Sequence, residues 1–552
     1  MGFYIAFSIM ITGCLSASWV ITSRFLHFFQ QEEYDNKRFL QWWIHRRSFE
    51  KRATLLALVF VMALWLSEQS AGISSLPVLR TMLLSLVIAA SLSLAGRSNR
   101  PRSTKKALQM TMRARRIYWI ALILQGILFS GISALLSLTS FSPFYLLIMT
   151  SSSALIFAAA PITLVLSNLL LAPLESSVQK RYLNEARQIL NRVKPEIIGI
   201  TGSYGKTSFK HILSHILESH ASTLSTPGSV NTLMGITRII RERLRNDHAF
   251  FIVEMGAYGI GSIKRLCELT PPTTAIVTSI GLAHRERFKS IDAVRQAKSE
   301  LPRALPQGGL AVLNGDDPQL RRMAEDLDAD IRFYGKNPDR GRLDCRLIDA
   351  LPSQNGLRCR LEYEGKDYEF EMPLFGEHQA LNAAGAFLTA MRLGVAPITA
   401  AAALQSMPQI AHRLAVHRDA NGIVTIDDAY NSNPIGFKNA LNALKTMDGK
   451  RKILITPGMV ELGDEADEAH RQLASDAAQS CDWIILTAAH RLISFREGLL
   501  ENGFDKENLH QFSDLQKAQQ WLSSRLQSGD VVLYENDLPD LYEIQTVFPL
   551  FE

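Results

Sequence analysis

"GITGSYGKTSFK", residues 199 to 210, is the stretch on which the reading of this chain turns. Gly205-Lys206-Thr207 supplies the end of a phosphate-binding loop, but the strict spacing would put the opening glycine at 200, where Ile200 stands. "EIIGITG" before it reads as a short buried strand. "KTSFKHILSHILESH" after it reads as a helix with Phe209, Ile212, Leu213, Ile216 and Leu217 on its apolar side. Strand, glycine turn and helix form the context such a loop needs, because the first amides of the helix point at whatever the turn holds. The backbone N–H groups from Gly202 to Lys206, those of Ser203 and Gly205 among them, are expected to cradle the phosphates of ATP. Lys206 would reach the β/γ oxygens and Thr207 would hold Mg²⁺, with Ser208 in the same ATP-binding set.

The residues before the loop differ in kind from those after it. A chain of 552 residues is too long for one core. Its hydrophobic fraction of 47% averages a strongly apolar, basic first third with a remainder that alternates strand-like and helical patterns. The net charge of +6 comes from basic blocks near the N-terminus, which points to a membrane surface and away from nucleic acid. The five cysteines (Cys14, Cys267, Cys345, Cys359, Cys481) show no CxxC spacing, so neither a disulfide framework nor a zinc site is expected.

Five apolar segments stand out, at about 2–22, 54–68, 77–95, 117–139 and 144–172. The connection after the first carries Arg24, Lys37, Arg38, Arg46, Arg47, Lys51 and Arg52. That after the third carries Arg97, Arg100, Arg102, Lys105, Lys106, Arg113, Arg115 and Arg116. The connections at 69–76 and 140–143 have no Lys or Arg. This alternation predicts a multi-pass protein of the cytoplasmic membrane with its N-terminus outside and everything after the fifth segment in the cytoplasm. Trp42-Trp43 suggest that the first basic connection lies along the headgroups. Pro161 and Arg80 within spans read as a kink and an interfacial snorkel. The stretch 173–195 reads as a linker helix with Val178, Tyr182, Ala186 and Ile189 on one face.

Downstream, Glu254 closes the strand-like "AFFIVE" and His284 follows a second, "TAIVTSIG", both at strand ends where ligands of open α/β sheets collect. Lys298 stands in "VRQAKSE". Taken singly, these read as a loop carboxylate, a surface histidine and an exposed helix lysine. In order, however, "TGSYGKTS", "STPGSVNTLMG", "FFIVEMGAYGIGSI", "AIVTSIGLAHRERF", "AKSE", "LNGDDP", "GEHQALNAAGA" and "IDDAYNSNP" resemble the Mur ligase family, over about residues 195–535. They are most similar to its D-alanyl-D-alanine-adding branch.

The apolar segments imply the fold of the first third and the resemblance that of the rest. An N-terminal α-helical transmembrane domain (1–172) and the linker helix precede two α/β domains, a P-loop central ATPase domain (196–408) and a Rossmann-like C-terminal domain (409–552). The resemblance also implies an ATP-dependent amide ligase. An acceptor carboxylate takes the γ-phosphoryl group, and an amine then displaces phosphate from the acyl phosphate. Lys206, Glu254, His284 and Lys298 would be catalytic. Thr207, Glu254, His284 and a carbamylated Lys298 would surround metal, and Asn382, Arg413 and Asp428 would contact ATP, the last two from the C-terminal domain after closure. Tyr430 and Asn433 belong to the same motif, and Asn433 reads equally well as a helix cap.

Two departures from the family pattern matter. Gln379 stands where an asparagine is usual, and "VVLYENDLPDLYE" replaces a Lys-Gly-Ser-Arg-like loop on the amine side, which leaves the amine open. About 24 residues separate Ala172 from Ile197, against the roughly 50 of a domain, so no UDP-binding module is expected there. The expected partners are therefore the membrane, an envelope precursor, peptidoglycan-related or lipid-linked, and an amino acid or peptide amine. A polyglutamate-synthase-like ligase and a non-catalytic nucleotide-binding membrane module are the alternatives.

Overall fold

The computed structural model describes residues 18–32, 34–45, 108–137, 160–281, 288, 290–353, 355–429, 432–459, 462 and 466–536. The chain divides into a first unit reaching Val178 and a second beginning at Gln179.

The described part of the first unit is helical: 18–31, Asn36–His45, Met112–Ser137 and the beginning of Ala160–Val193. Aromatic side chains fill its interior, with Phe29, Phe39, Ile117 and Leu164 fully buried. Trp43 is buried in the same core, and the ring of Trp42 lies 4.5 Å from that of Phe28. Both tryptophans thus pack within the unit, where the sequence suggested headgroups. Polar groups are buried here too. Gln125 donates to the hydroxyls of Thr22 (3.0 Å) and Thr163 (2.8 Å), and Arg116 pairs with Glu175 at 2.6 Å.

Two expected boundaries shift. Arg113, Arg115 and Arg116 belong to the helix Met112–Ser137 and not to a connection. The join expected at 172/173 falls inside the uninterrupted helix Ala160–Val193, which carries Pro173 in its interior. Pro161 sits in the first described turn of that helix. Among the described residues this helix is the one long and apolar enough to cross a membrane. The segments 54–68 and 77–95, Arg80, and most of 2–22 lie outside the described residues.

The second unit holds two sheets. In the first the strands are β1 (Glu196–Thr201), β2 (Thr223–Ser225), β3 (Phe250–Glu254), β4 (Thr274–Val277), β5 (Leu310–Asn314), β6 (Asp330–Gly335), β7 (Cys345–Ser353), β8 (Gly356–Tyr363) and β9 (Lys366–Met372). Their order is β2-β3-β1-β4-β5-β6-β7-β8-β9, parallel through β7 and antiparallel beyond. β1, β3 and β4 are continuous apolar runs because both faces of a parallel sheet are covered. One cover is the helix Lys206–Glu218, with Phe209, Ile212, Leu213 and Ile216 buried as its spacing predicts. Against it lies Glu377–Arg392, whose buried Ala380, Ala383, Ala384 and Gly385 permit close approach. A Cβ on Gly385 would come within 2.6 Å of the Phe209 ring, so only glycine fits there.

The second sheet comprises β10 (Ala415–Arg418), β11 (Val424–Asp428), β12 (Arg451–Thr456), β13 (Trp483–Leu486), β14 (Leu509–Gln511) and β15 (Asp530–Glu535). Its order is β10-β11-β15-β12-β13-β14, with only β10 antiparallel, and apolar clusters cover both faces. β1, β3, β11 and β15 all end in polar residues at the carboxyl edges of their sheets, where ligands of open α/β sheets bind.

Candidate active site

One cavity of about 600 Å³ gathers the residues singled out in the sequence. Gly202 to Ser208, Glu254, Lys298 and Asn382 line it from the first sheet and its helices, and Arg413 and Asp428 from the second. His284 and Tyr430 lie outside the described residues. Asn433 lines the cavity and also caps Pro434–Thr446, its Oδ1 accepting the Gly436 N–H at 2.9 Å.

The loop is built for an anion. Gly205 takes φ 80°, a conformation that glycine adopts without strain. Among the described residues the amides of Gly205, Lys206, Thr207 and Ser208 donate to no protein acceptor, as the opening of a helix requires. The other end of the loop differs from expectation. The Ser203 N–H donates to the Ser279 carbonyl at 2.9 Å and the Tyr204 N–H to the Ser279 hydroxyl at 2.9 Å. Those two amides fasten the loop to the end of β4, and the phosphate-binding amides are therefore the later ones. Lys206 folds back, donating to the Gly202 carbonyl at 2.7 Å, a bond that phosphate oxygens can replace.

Glu254 is the electrostatic centre of this half of the site. It is 1% exposed, and its Oε2 accepts from the Thr207 hydroxyl (3.0 Å) and from the Lys210 ammonium (3.0 Å), while its Oε1 accepts from Asn231 (3.2 Å). Burial alone would push its carboxyl up. Lys210, Lys206 and the hydrogen bonds from Lys210 and Thr207 together outweigh that and hold it below the ordinary carboxylate range. Lys210, fully buried, also donates to the Gly228 carbonyl. It thereby ties the loop helix, the end of β3 and the 226–232 segment together.

Sequence reading missed Lys210, although its place one turn after Lys206 on the same helix was a usable signal. It also passed over Tyr258, whose hydroxyl donates to the Asn231 side chain at 2.8 Å. His378 lines the cavity as well; burial, then Arg413, pushes its imidazole down to about 4, so it is neutral at physiological pH.

Lys298 is 5% exposed, in contrast to an ordinary helix lysine. Burial, then the nearby Lys206 charge, pushes its amine well down. Gln379 is buried with its amide nitrogen 3.3 Å from the Ser208 hydroxyl, which accepts its hydrogen bond. It therefore braces the loop from behind. Asn382 lies over Gly205, where a Cβ would come within 3.0 Å of its Oδ1.

Comparison with known proteins agrees with this arrangement. Residues 200–390 match the Mur ligase middle domain and residues 412–534 the Mur ligase glutamate ligase domain. A UDP-N-acetylmuramoyl-tripeptide–D-alanyl-D-alanine ligase of Mycobacterium tuberculosis (strain ATCC 25618 / H37Rv) is 31% identical over 359 residues, covering 61% of this chain and 69% of that one. The chain belongs to the Mur ligase family.

The enzyme of the same name from Bacillus subtilis (strain 168) is 26% identical over 351 residues, 63% of this chain and 75% of that one. Among solved structures, the MurF ligase of Thermotoga maritima in complex with ADP aligns with a TM-score of 0.58 at 25% identity, over 66% of this chain and 82% of that one. This Mur ligase is an ATP-dependent, ADP-forming amide ligase, and its phosphate-binding loop is the T-G-x-x-G-K-T variant that residues 201–207 spell.

Proposed function

We propose that this Mur ligase is anchored in the cytoplasmic membrane and joins an amino acid or peptide amine to a carboxylate of a lipid-linked envelope precursor. The observation that carries this reading is the outward face of the helix Ala160–Val193. Ile162, Leu166, Leu169, Leu170 and Leu174 are exposed along it, and beyond them come Ser176, Ser177, Lys180, Arg181, Asn184 and Arg187. The exposed side thus changes from apolar to polar within one turn, as a helix leaving hydrocarbon for water would. Trp119, Ile123 and Ile127 make a second exposed apolar face at four-residue spacing on Met112–Ser137. An apolar surface this continuous is unusual on a protein surrounded by water.

The helix runs to Val193 and β1 begins at Glu196, so no further domain stands between the apolar helix and the ATPase fold. The named relatives act on a UDP-N-acetylmuramoyl-tripeptide and D-alanyl-D-alanine. Here the helical unit takes the place where a UDP-recognising domain would serve, and tethering keeps the active site near lipid-borne acceptors. Ligase domains in the cytoplasm meet ATP there.

The acceptor carboxylate oxygen attacks the γ-phosphorus, the bond to the β–γ bridging oxygen breaks, and ADP departs. The amine nitrogen then attacks the acyl carbon, the carbon–oxygen bond to phosphate breaks, and the amine sheds its proton to solvent. The first step brings two anions together, so Lys206 and the free amides of Gly205 to Ser208 neutralise the phosphoryl oxygens. Thr207 and Glu254 present hard oxygen donors in mutual contact at 3.0 Å, a donor set that suits Mg²⁺ together with phosphate oxygens. Thr207, Glu254 and a carbamylated Lys298, with His284, would hold Mg²⁺, which when bound supplies charge neutralisation at the phosphates. Lys298 suits carbamylation because burial favours its neutral amine, the form that adds carbon dioxide.

The test is ADP release by the full chain in detergent micelles, with a lipid-linked peptide acceptor against its soluble UDP-linked counterpart. The lipid-linked acceptor should turn over faster. Equal or faster turnover of the soluble one overturns the reading, and so does labelling of a cysteine placed at 105 by an impermeant reagent in intact cells.

A further inference from the structure

The second sheet ends in two adjacent carboxylates. β11 and β15 are parallel neighbours, and their register sets Asp428 beside Glu535 at the carboxyl edge. Asp428 lines the cavity, as does Arg413, whereas Glu535 is 1% exposed. The Glu535 Oε1 accepts from the Ser432 hydroxyl at 2.5 Å, and its Oε2 receives no hydrogen bond from a described residue. Directly after it the chain turns sharply. Asn536 takes φ 68°, donates its N–H to the Asp428 carbonyl at 3.2 Å and its side-chain amide to the Gly458 carbonyl at 2.6 Å. Glu535 is therefore clamped from β11, from the turn at Ser432 and from the turn after β12.

Glu535 is buried and Asp428 part-buried, and two carboxyls in adjacent register disfavour ionisation of both, so that one of them keeps a proton more readily than an isolated carboxyl does. The surroundings decide which one keeps it. The Asp428 Oδ1 accepts the Leu414 N–H at 3.2 Å and is drawn towards its ionised form by Arg413. Among the described residues Glu535 accepts a hydrogen bond from the Ser432 hydroxyl and lies within hydrogen-bonding reach of Asp428; burial, then the Asp428 charge, pushes its carboxyl well up. Burial also raises Asp428, to about 6. Among the described residues the other acid beside the pair is Asp427, engaged by the His412 ring at 2.8 Å. His470, its imidazole pushed down by burial and its Nε2 accepting the Met459 N–H at 3.0 Å, lies by Gly458.

We propose that Glu535 is a positioning residue for the nucleotide: a neutral buried acid that donates its proton to Asp428 from behind and leaves Asp428 facing the cavity as an ionised acceptor for nucleotide hydroxyls. Through Ser432 it also fixes the turn that opens the helix Pro434–Thr446. Asp428 touches nucleotide in this scheme and Glu535 does not. The inference rests on the assignment of this cavity to ATP.

The experiment measures ADP affinity of the full chain by calorimetry between pH 5 and pH 8. In the native protein, affinity should fall as pH drops through about 6, as Asp428 takes up a proton. Glu535→Ala removes the donor; affinity at neutral pH should fall about tenfold, the scale of one hydrogen bond to a charged group, and the midpoint should move to higher pH. Glu535→Gln keeps a donor in the same place and should retain the native affinity and midpoint. Glu535→Lys, which serves also where the alanine variant does not fold, should move the midpoint to lower pH. A midpoint that stays put in the folded alanine or lysine variant, or a glutamine variant that behaves as alanine does, overturns the proposal. Native protein that binds no ADP at any pH would instead tell against the ATP site itself.

Discussion

The two sheets of the ligase unit both end in buried carboxylates at the nucleotide cavity, and they treat them in opposite ways. At the end of β3, Glu254 is matched by Lys210 at 3.0 Å and stays ionised. At the end of β15, Glu535 is matched by another carboxylate and keeps its proton. The pH consequences have opposite signs. A carboxyl held low contributes stability that is present above its unfolded pKa and lost as pH falls through its folded one. A carboxyl held high contributes stability that is present below its unfolded pKa and lost as pH rises through its folded one. One fold thus supplies a fixed charge beside the phosphate-binding loop and, as proposed, an adjustable one beside Asp428.

The largest effect should come from the loop itself. Lys206→Ala removes the loop cation that the proposed mechanism sets against the transferred phosphoryl group, and acceptor-dependent ADP release should fall by about a thousandfold or more. Near-native release by the folded variant would remove the phosphate role from this side of the comparison. Next comes Lys298→Ala, where a loss of about a hundredfold is expected if Lys298 carries the proposed carbamate, with partial recovery in formate, which would stand in for the carbamate oxygens. Full activity without any additive would reduce Lys298 to a packing residue.

Stability variants then separate the two edges. Lys210→Met strands a buried charge and should cost about 3–5 kcal/mol in urea unfolding, while Lys210→Met with Glu254→Gln should recover most of that. A double variant no more stable than the single one would show that the pairing is not what matters. The smallest effect belongs to Glu535→Gln. Because Glu535 is neutral in the fold but ionises on unfolding, this variant should melt a few degrees above the native protein at pH 7. The gain should vanish below the unfolded carboxyl pKa near pH 4. A gain of equal size at both pH values would mean that the carboxyl is not held protonated.

Legibility from sequence tracked the range of the interactions. The strand–loop–helix around Lys206 could be read because its parts are contiguous and each obeys a local periodicity. Glu254, Lys298, Asn382, Arg413 and Asp428 could be singled out only through ordered motifs, since alone each passes for a surface residue; the cavity brings all of them together. Lys210 and Glu535 escaped. The partners that give them meaning lie 44 residues away for Lys210 and 103 away, at Ser432, for Glu535. The Ser203 and Tyr204 amides escaped for the same reason, as Ser279 reaches them from the end of β4.

By itself the sequence determined the alternation of apolar runs and turns, the amide-bearing loop at the start of a helix, and an apolar first third unlike the rest. These are local matters of side-chain period and backbone freedom, decided within a few residues. Tertiary structure alone decided which charges are opposed and which are doubled. Burial depth and strand register place Lys210 against Glu254 and Asp428 against Glu535. The energy of a charge depends on the dielectric and the neighbours that the whole fold supplies.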